Sequence, residues 1–166
     1  MSDRLVLDTY RLLRKITEKT TEYFSGIGLV VYDSKRFDAD SHCDLRPEIN
    51  CPEYKIIDEK AVDYLAEISE YTHKLHDGFH MVNEDGVLKY VAQYFVPPVV
   101  KSLRPNQEHG VRLYSSMCGS LLEGVLFIGV ISSDRTIFII KEGQYIDINL
   151  LEEEIINEYP KSEVYI

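Results

Sequence analysis

The hydrophobic pattern of this chain changes its period at Asp77-Gly78, and this change constrains the fold more than any other feature. Before it, in residues 4–24 and 58–75, apolar residues recur at the 3.6-residue spacing of amphipathic helices. After it, residues 79–83 and 87–96 are rich in β-branched and aromatic side chains, and Glu84-Asp85-Gly86 joins the two runs. An Asp-Gly pair between such runs is a strong hairpin signal. The chain is therefore predicted to combine helices with a sheet.

The segments around this hairpin predict one α/β (α+β) domain over residues 1–166, with its core at about 26–143. Helices are predicted at 4–24, from Asp58 to the Asp77-Gly78 break, at 111–122 and, in an acidic tail over 151–166, at 151–158 before Pro160. Further strands are predicted at 29–32, 125–132, 136–142 and 144–150, with an irregular excursion over 33–52. Because helices bracket a hairpin and a three-strand meander, we expect a mixed central β-sheet flanked by helices.

The charge balance limits the partners of this protein. Eighteen Lys and Arg residues against 28 Asp and Glu residues leave a net charge of -10, which repels phosphate backbones and anionic lipid. We therefore expect neither non-specific nucleic-acid binding nor membrane binding. The first residues alternate charge with leucine, unlike a signal peptide, and no apolar run approaches ~18 residues. These features predict a cytoplasmic protein, and three cysteines, an odd number, predict free thiols.

The segment His76-Asp77-Gly78 is the first candidate site. A helix is predicted to end there, the glycine allows a ligand to approach the backbone, and a carboxylate stands at the start of a strand. Asp-Gly pairs also form ordinary turns that bind nothing. The pattern alone leaves both interpretations open, with the ordinary turn favoured.

The second candidate site is the segment 101–112, which is locally positive in an acidic protein. It carries Lys101, Arg104 and Arg112 against Glu108 alone, and Gly110 precedes a predicted helix. A helix N-terminus offers unpaired backbone N–H groups and a positive dipole end, both of which suit a phosphate. The alternative is a solvated loop whose cations balance nearby acids, and this alternative is the commoner one for an isolated charge cluster.

Together the two segments resemble the diadenylate cyclase domain, which joins two ATP molecules into cyclic di-AMP, over about residues 26–143. Leu75-His76-Asp77-Gly78 is identical to the Leu-His-Asp-Gly of that family's active-site motif. The weaker matches are Gly28-Leu29-Val30-Val31 to its Gly-Ala-Leu-Ile-Val strand, Tyr94-Phe95-Val96-Pro97 to its aromatic-Leu-Pro, residues 110–116 to its Gly-Thr-Arg-His-Arg-Ala-Ala, and residues 131–134 to its Val-Ser-Glu-Glu. The resemblance implies a mixed sheet with the two candidate sites adjacent in space.

The departures from the family pattern concern charge. Of the Arg-His-Arg triplet only Arg112 is present, because Leu113 and Tyr114 take the other two positions. Val111 replaces a threonine, and Ser133 replaces the first Glu of the later motif. In the family these positions are implied to hold the triphosphate and to assist with metal. Since phosphoryl transfer depends on positioning and charge neutralisation, these losses predict weak or absent catalysis, while binding is retained.

The resemblance also implies site residues and partners. The implied nucleotide-binding residues are Leu75, His76, Asp77, Gly78, Phe79, Gly110, Val111, Arg112, Tyr114 and Ser115. If the domain is active, Asp77 and Arg112 are the catalytic residues and Asp77 supports Mg²⁺ or Mn²⁺. The implied partners are an adenine nucleotide or a cyclic dinucleotide, and a second copy of the chain, because the family's chemistry places two sites face to face.

Three functions follow from these observations. The favoured one is a nucleotide-binding domain that is catalytically degenerate and serves as a sensor. The first alternative is an active diadenylate cyclase that makes cyclic di-AMP from two ATP molecules. The second alternative is a structural or protein-interaction module with a vestigial pocket. A pocket filled by Tyr114 or Phe79 would favour the interaction module.

Overall fold

The structure is a computed structural model that describes residues 2–103 and 110–158. Its helices are α1 (Ser2–Lys19), α2 (Glu59–Ile68), α3 (Val111–Gly119) and α4 (Ile148–Glu158), with a 3₁₀ turn at Ala39–Ser41. Its strands are β1 (Ile27–Tyr32), β2 (Cys43–Asp44), β3 (Phe79–Asn83), β4 (Leu88–Tyr94), β5 (Val125–Ile131), β6 (Ile137–Lys141) and β7 (Gln144–Tyr145). Arg104, Glu108, Pro160 and the end of the acidic tail lie outside the described residues.

The seven strands form one mixed sheet in the order β2-β4-β3-β1-β5-β6-β7. Strands β1 and β3 are parallel, with Leu29 opposite His80, and the other pairs are antiparallel. The parallel pair puts the starts of β1 and β3 at the same end of the sheet. The segments that lead into these two strands are therefore neighbours. The predicted fold class, a mixed sheet flanked by helices in a single α/β domain, is confirmed.

Helices cover both faces of this sheet. Alternate residues of β1 belong to two apolar clusters: Leu29 packs with α1 and α2 on one face, and Val30 packs with α3 on the other. All six residues of β1 are buried, which explains why the strand reads as a continuous apolar run in the sequence. The central strand is thus shielded from water, and its ends are the places where a ligand can reach it.

Three predicted helices end earlier than expected, and one of them, α3, ends at Gly119 and not at residue 122. Helix α1 ends at Lys19 and not at residue 24, because the Thr20 hydroxyl donates to the carbonyl of Thr17 and the chain then turns so that Phe24 pairs with Glu70. Helix α2 ends at Ile68, well before Asp77-Gly78. The same Phe24–Glu70 bridge takes the chain out of the helix there, so the break in helical period precedes Asp77 by several residues.

The last predicted strand is wrong over most of its length. Strand β7 covers only Gln144–Tyr145, and α4 already begins at Ile148. The reason is local, because the carboxylate of Asp147 accepts a hydrogen bond from the backbone N–H of Asn149 and so caps the helix.

Several other expectations agree with the structure. The excursion over 33–52 contains only the 3₁₀ turn and the two-residue strand β2. Cys43, Cys51 and Cys118 are free thiols, as predicted. Among the helices that the structure describes, none combines the length and the apolar character needed to cross a bilayer.

Candidate functional site

The start of α3 reaches the start of β1 through one side chain. The guanidinium of Arg112 donates from Nη1 to the backbone carbonyl of Ser25 at 3.1 Å, just before β1 begins. The negative charge of Asp77, just before β3, also acts on this guanidinium. The structure therefore brings the two candidate segments of the sequence to the same end of the sheet, where Arg112 of the second segment lies near Asp77 of the first.

Two glycines make room for this arrangement. At Gly26, whose φ is +92°, an added Cβ would lie 2.6 Å from Nη1 of Arg112. At Gly28, an added Cβ would lie 2.6 Å from the ring of Phe79 and 3.4 Å from Cδ of Arg112. Any other residue at either position would displace the arginine or the aromatic ring. Glycine is needed here for close packing of side chains against the backbone of β1.

Arg112 is a largely desolvated cation. Burial lowers the pKa of its guanidinium, and the charge of Asp77 opposes that change. An arginine side chain nevertheless stays protonated in proteins, so the charge persists. Within the described part of the chain one of its five N–H donors is used, by the carbonyl of Ser25. A half-buried cation with donors to spare favours an anionic partner.

The guanidinium lines a cleft of about 490 Å³ between two loops. One wall is the start of α3, residues 110–113, and the other is the turn after β5, with Ser132, Ser133, Asp134 and Thr136. Ser25 and the side chains of Val130 and Phe138 complete the lining. The cleft therefore combines apolar and polar surface, and its one arginine faces hydroxyl groups and a single carboxylate.

The carboxylate in the cleft belongs to a tight turn. The Ser132 hydroxyl and the backbone N–H of Thr136 both donate to Oδ1 of Asp134, the second at 3.0 Å. The hydrogen bond from Ser132 contributes most to lowering the pKa of Asp134, and hydrogen bonding from Thr136 lowers it further. Asp134 is consequently ionised at neutral pH, and its orientation is set by the turn.

The start of α3 is open to solvent. Gly110 is the N-cap with an extended backbone and no side-chain cap, and no atom of residues 2–103 or 112–158 lies within 4 Å of the position that its Cβ would take. Val111, the first helical residue, is 84% exposed. The N–H groups of a first helical turn have no partner within the helix and carry the positive end of its dipole. They supplement Arg112 at the same wall of the cleft.

The Leu75–Gly78 turn has a different character. Leu75 is buried in the core, and the imidazole of His76 donates from Nδ1 to the carbonyl of His73 at 2.7 Å. Gly78 has a φ of +78°, and a Cβ there would lie 2.3 Å from the carbonyl oxygen of Gln93. Asp77 alone is open, with 71% of its side chain exposed. Most of this turn thus serves the fold, and none of its residues lines the cleft.

The remaining predicted site residues also lie outside the lining. Phe79 is 5% exposed, and its ring packs edge-on against Phe95 with centroids 5.3 Å apart. Tyr114 donates its hydroxyl to the carbonyl of Val100 at 3.2 Å, and Ser115 is half-buried on α3. Of the predicted nucleotide-binding residues, the cleft is lined by Gly110, Val111 and Arg112.

The cleft also contains residues that the sequence did not single out as binding residues. These are Ser25, Ser132, Asp134 and Thr136. The available signal was the weak match of residues 131–134 to the family's Val-Ser-Glu-Glu, which pointed to this turn without assigning a role to Asp134. No sequence pattern pointed to Ser25, because its backbone carbonyl contacts Arg112 only through the tertiary fold.

Asp77 is the expected metal-supporting residue, and its surroundings provide one carboxylate. The imidazole Nε2 of His76 lies 3.6 Å from Oδ1 of Asp77. Within residues 2–103 and 110–158 there is no cluster of three or more His, Cys, Asp or Glu side chains arranged to hold a metal ion. Nucleotide-associated Mg²⁺ commonly takes one or two carboxylates together with phosphate oxygens. Asp77 could supply one such ligand, and phosphate would have to supply others.

Comparison with known proteins bears on the fold. No protein-family model matches the sequence, and no curated protein matches it significantly. Among solved structures, the chain is similar to a double mutant of DacA from Staphylococcus aureus, with a TM-score of 0.56 and 14% identity over 95% of this chain and 96% of that one. It is also similar to a hypothetical membrane spanning protein from Bacillus cereus, with a TM-score of 0.56 and 17% identity over 82% of this chain and 59% of that one. The chain thus has a DacA-like fold.

Proposed function

We propose that this domain binds a nucleotide through its phosphate in the cleft between α3 and the turn after β5, and that it is a catalytically degenerate nucleotide sensor. The observation that carries this proposal is the position of Arg112. Its desolvated guanidinium lines the cleft, and its orientation is set by the carbonyl of Ser25. A preoriented arginine beside a helix N-terminus is a common way to hold phosphate.

The cleft has a size that suits a nucleotide, and none of the side chains that the structure describes fills it. Its volume of about 490 Å³ falls within the range of roughly 300–1,000 Å³ that is usual for small-molecule sites. Phe79 and Tyr114, the side chains whose insertion would favour a vestigial pocket, pack elsewhere. This observation favours the sensor over the structural or interaction module.

The small number of positive charges on the described walls of the cleft supports a degenerate catalytic site. Leu113 and Tyr114 occupy positions where the resemblance implies a histidine and an arginine, Leu113 is buried, and Tyr114 is bonded to Val100. Among the described residues, Arg112 is the one cation that lines the cleft. Transfer of a phosphoryl group needs extensive charge neutralisation in the transition state, more than binding needs. The site therefore retains a binding group and lacks a full catalytic set.

The identity of the nucleotide rests on the resemblance. The Leu-His-Asp-Gly match and the DacA-like fold support an adenine nucleotide or a cyclic dinucleotide as the ligand. A sensor of such molecules would work in the cytoplasm, where they are made. Pairing of two copies face to face, as the family's chemistry requires, is part of the same proposal.

The test is titration calorimetry of the purified chain and of Arg112→Met. Loss of the guanidinium should weaken the preferred nucleotide by about 1.5–3 kcal/mol, roughly ten- to a hundredfold. Arg36→Met is the matched control, because Arg36 follows β1 at the opposite end of the sheet and pairs with Glu123 at 3.8 Å. Equal binding by wild type and Arg112→Met, or no binding of any adenine nucleotide, would contradict the proposal.

Catalysis needs its own measurement. The protein incubated with ATP and either Mg²⁺ or Mn²⁺ should produce no cyclic di-AMP at ordinary enzyme rates, on the order of one turnover per second. Production at such a rate, abolished by Asp77→Asn, would show an active cyclase and overturn the degenerate assignment. It would leave the assignment of the binding cleft in place.

A further inference from the structure

The charges that surround the cleft narrow the class of ligand, and this inference rests on the proposed function. We propose that the cleft selects phosphodiesters, which carry one negative charge on each phosphate, over nucleoside triphosphates. Cyclic mononucleotides and cyclic dinucleotides share this chemistry. The inference rests on one guanidinium, that of Arg112, and one carboxylate, that of Asp134, on opposite walls of the cleft.

The guanidinium can neutralise one negative charge at close range. Within the described residues, Arg112 is the cation of the cleft lining, and the carbonyl of Ser25 sets the direction of its Nη1. A planar guanidinium pairs two parallel N–H donors with two oxygens of one phosphate. A single phosphodiester group satisfies this geometry and balances the charge. A second or third phosphate finds no equivalent cation on the described walls.

The opposite wall repels further negative charge. Asp134 lies across the cleft from the start of α3, and its ionised carboxylate accepts hydrogen bonds from Ser132 and Thr136. A triphosphate carries several charges within a few ångströms, so its outer phosphates would approach the carboxylate of Asp134. Like charges at such distances oppose binding.

The hydroxyl groups of the cleft fit a diester as well. Ser133 and Thr136 line the wall beside Asp134. Neutral hydroxyls donate hydrogen bonds to phosphate oxygens without requiring added charge. The cleft therefore combines one charged contact with several neutral ones, which matches an anion of low charge density.

The experiment compares four probes by titration calorimetry with the wild-type chain: cyclic AMP, cyclic di-AMP, AMP and ATP, the last both with and without Mg²⁺. We expect the better of the two diesters to bind at least about tenfold more tightly than either form of ATP, with AMP intermediate. The ranking of cyclic AMP against cyclic di-AMP distinguishes the two sources of the diester.

The variant Asp134→Asn tests the cause. Asparagine keeps the acceptor for Ser132 and Thr136 and removes the charge, so the turn is retained. ATP should then bind about three- to tenfold more tightly, while the diester changes less. The matched control is Asp85→Asn, the same change in the exposed β3–β4 turn at the far end of the sheet.

The outcomes separate the two proposals. If ATP binds as tightly as the diesters, the selectivity for diesters is wrong and the nucleotide-binding proposal stands. If Asp134→Asn leaves the ratio of affinities unchanged, the charge of Asp134 is not the cause of the selectivity, and the inference as argued is wrong. If none of the four probes binds, the nucleotide-binding proposal itself is wrong. Diester preference that falls in Asp134→Asn and persists in Asp85→Asn supports the inference.

Discussion

The Leu75–Gly78 turn and the start of α3 look similar in sequence, since each combines a glycine with a charged residue at the end of a predicted element. In the structure they differ. The turn buries Leu75, bonds His76 to the backbone and presses Gly78 against the carbonyl of Gln93. At the start of α3, Gly110 has no close neighbour among the described residues, and Arg112 lines a cleft.

The difference shows that some residues of a motif stabilise the fold while others remain available to a ligand. The turn is the segment with the stronger predicted resemblance to a motif, yet most of its side chains are occupied by contacts within the protein. The start of α3 has the weaker predicted resemblance, yet it keeps a cation beside a cleft. Sequence identity to a motif therefore does not measure how much of that motif is available to a ligand.

The largest expected effect is on stability, and it comes from replacing the glycine of each region with alanine. Gly78→Ala should destabilise the protein by about 3 kcal/mol or more, because a Cβ there would lie 2.3 Å from a backbone oxygen at a φ of +78°. Gly110→Ala should change stability by no more than about 0.5 kcal/mol, since its φ is -72° and its surroundings are empty. Urea unfolding of both variants measures the difference.

Equal losses of stability in the two variants would contradict the distinction between a structural turn and an open helix start. Unchanged stability in Gly78→Ala would show that β4 shifts away from the turn at little cost.

An intermediate effect concerns His80, which follows the turn in β3. Its imidazole is buried, and Nδ1 accepts a hydrogen bond from the backbone N–H of Ala92 at 3.0 Å. Burial, aided by the positive charge of Arg112, lowers its pKa from 6.5 to about 3. As the pH falls, the unfolded chain takes up a proton on His80 before the folded protein does. The free energy of unfolding is therefore unaffected by His80 above about pH 6.5. Below that pH it falls by about 1.4 kcal/mol per pH unit, or about 2 kcal/mol by pH 5.

The comparison variant for this pH effect is His80→Asn, which keeps an acceptor near the position of Nδ1 and cannot be protonated. Thermal unfolding between pH 7 and 5 should show a smaller loss of stability in His80→Asn than in the wild type. Parallel pH profiles for the two proteins would mean that His80 is not the group responsible.

The smallest expected effect is that of Asp77→Asn on stability. The side chain is 71% exposed, so its loss of charge should change the free energy of unfolding by no more than about 0.5 kcal/mol. Because Asp77 lies near Arg112, the variant should bind a phosphodiester slightly more tightly, by about twofold. Calorimetric titration beside urea unfolding tests both parts. A large loss of stability would place Asp77 among the structural residues of the turn.

Local sequence signals predicted the central elements well. Strand β3 occupies the predicted residues 79–83, and the Asp85-Gly86 turn joins it to β4 as expected. These elements combine strong β propensity with a turn signal that acts over a few residues. They are correct because neighbouring residues alone decide them.

The errors at the ends of α1 and α2 occur where distant residues decide, whereas the error over 144–150 has a local cause. The predicted ends of α1 and α2 extend into a segment that is instead taken by the Phe24–Glu70 bridge, which joins residues far apart in sequence. The predicted strand over 144–150 gave way to α4 because Asp147 caps it. Helical period measures amphipathicity and does not reveal where a helix meets a competing partner.

By itself the sequence determined the fold class, the hairpin after Asp77-Gly78 and the presence of a lone arginine at the start of a helix, because period, turn residues and charge are local properties. The tertiary structure decided which of these residues face a ligand. The parallel pairing of β1 with β3 brings Ser25, Asp77 and Arg112 to one end of the sheet. The turn after β5 adds Asp134 on the opposite wall. Such convergence depends on strand order, which no local propensity encodes.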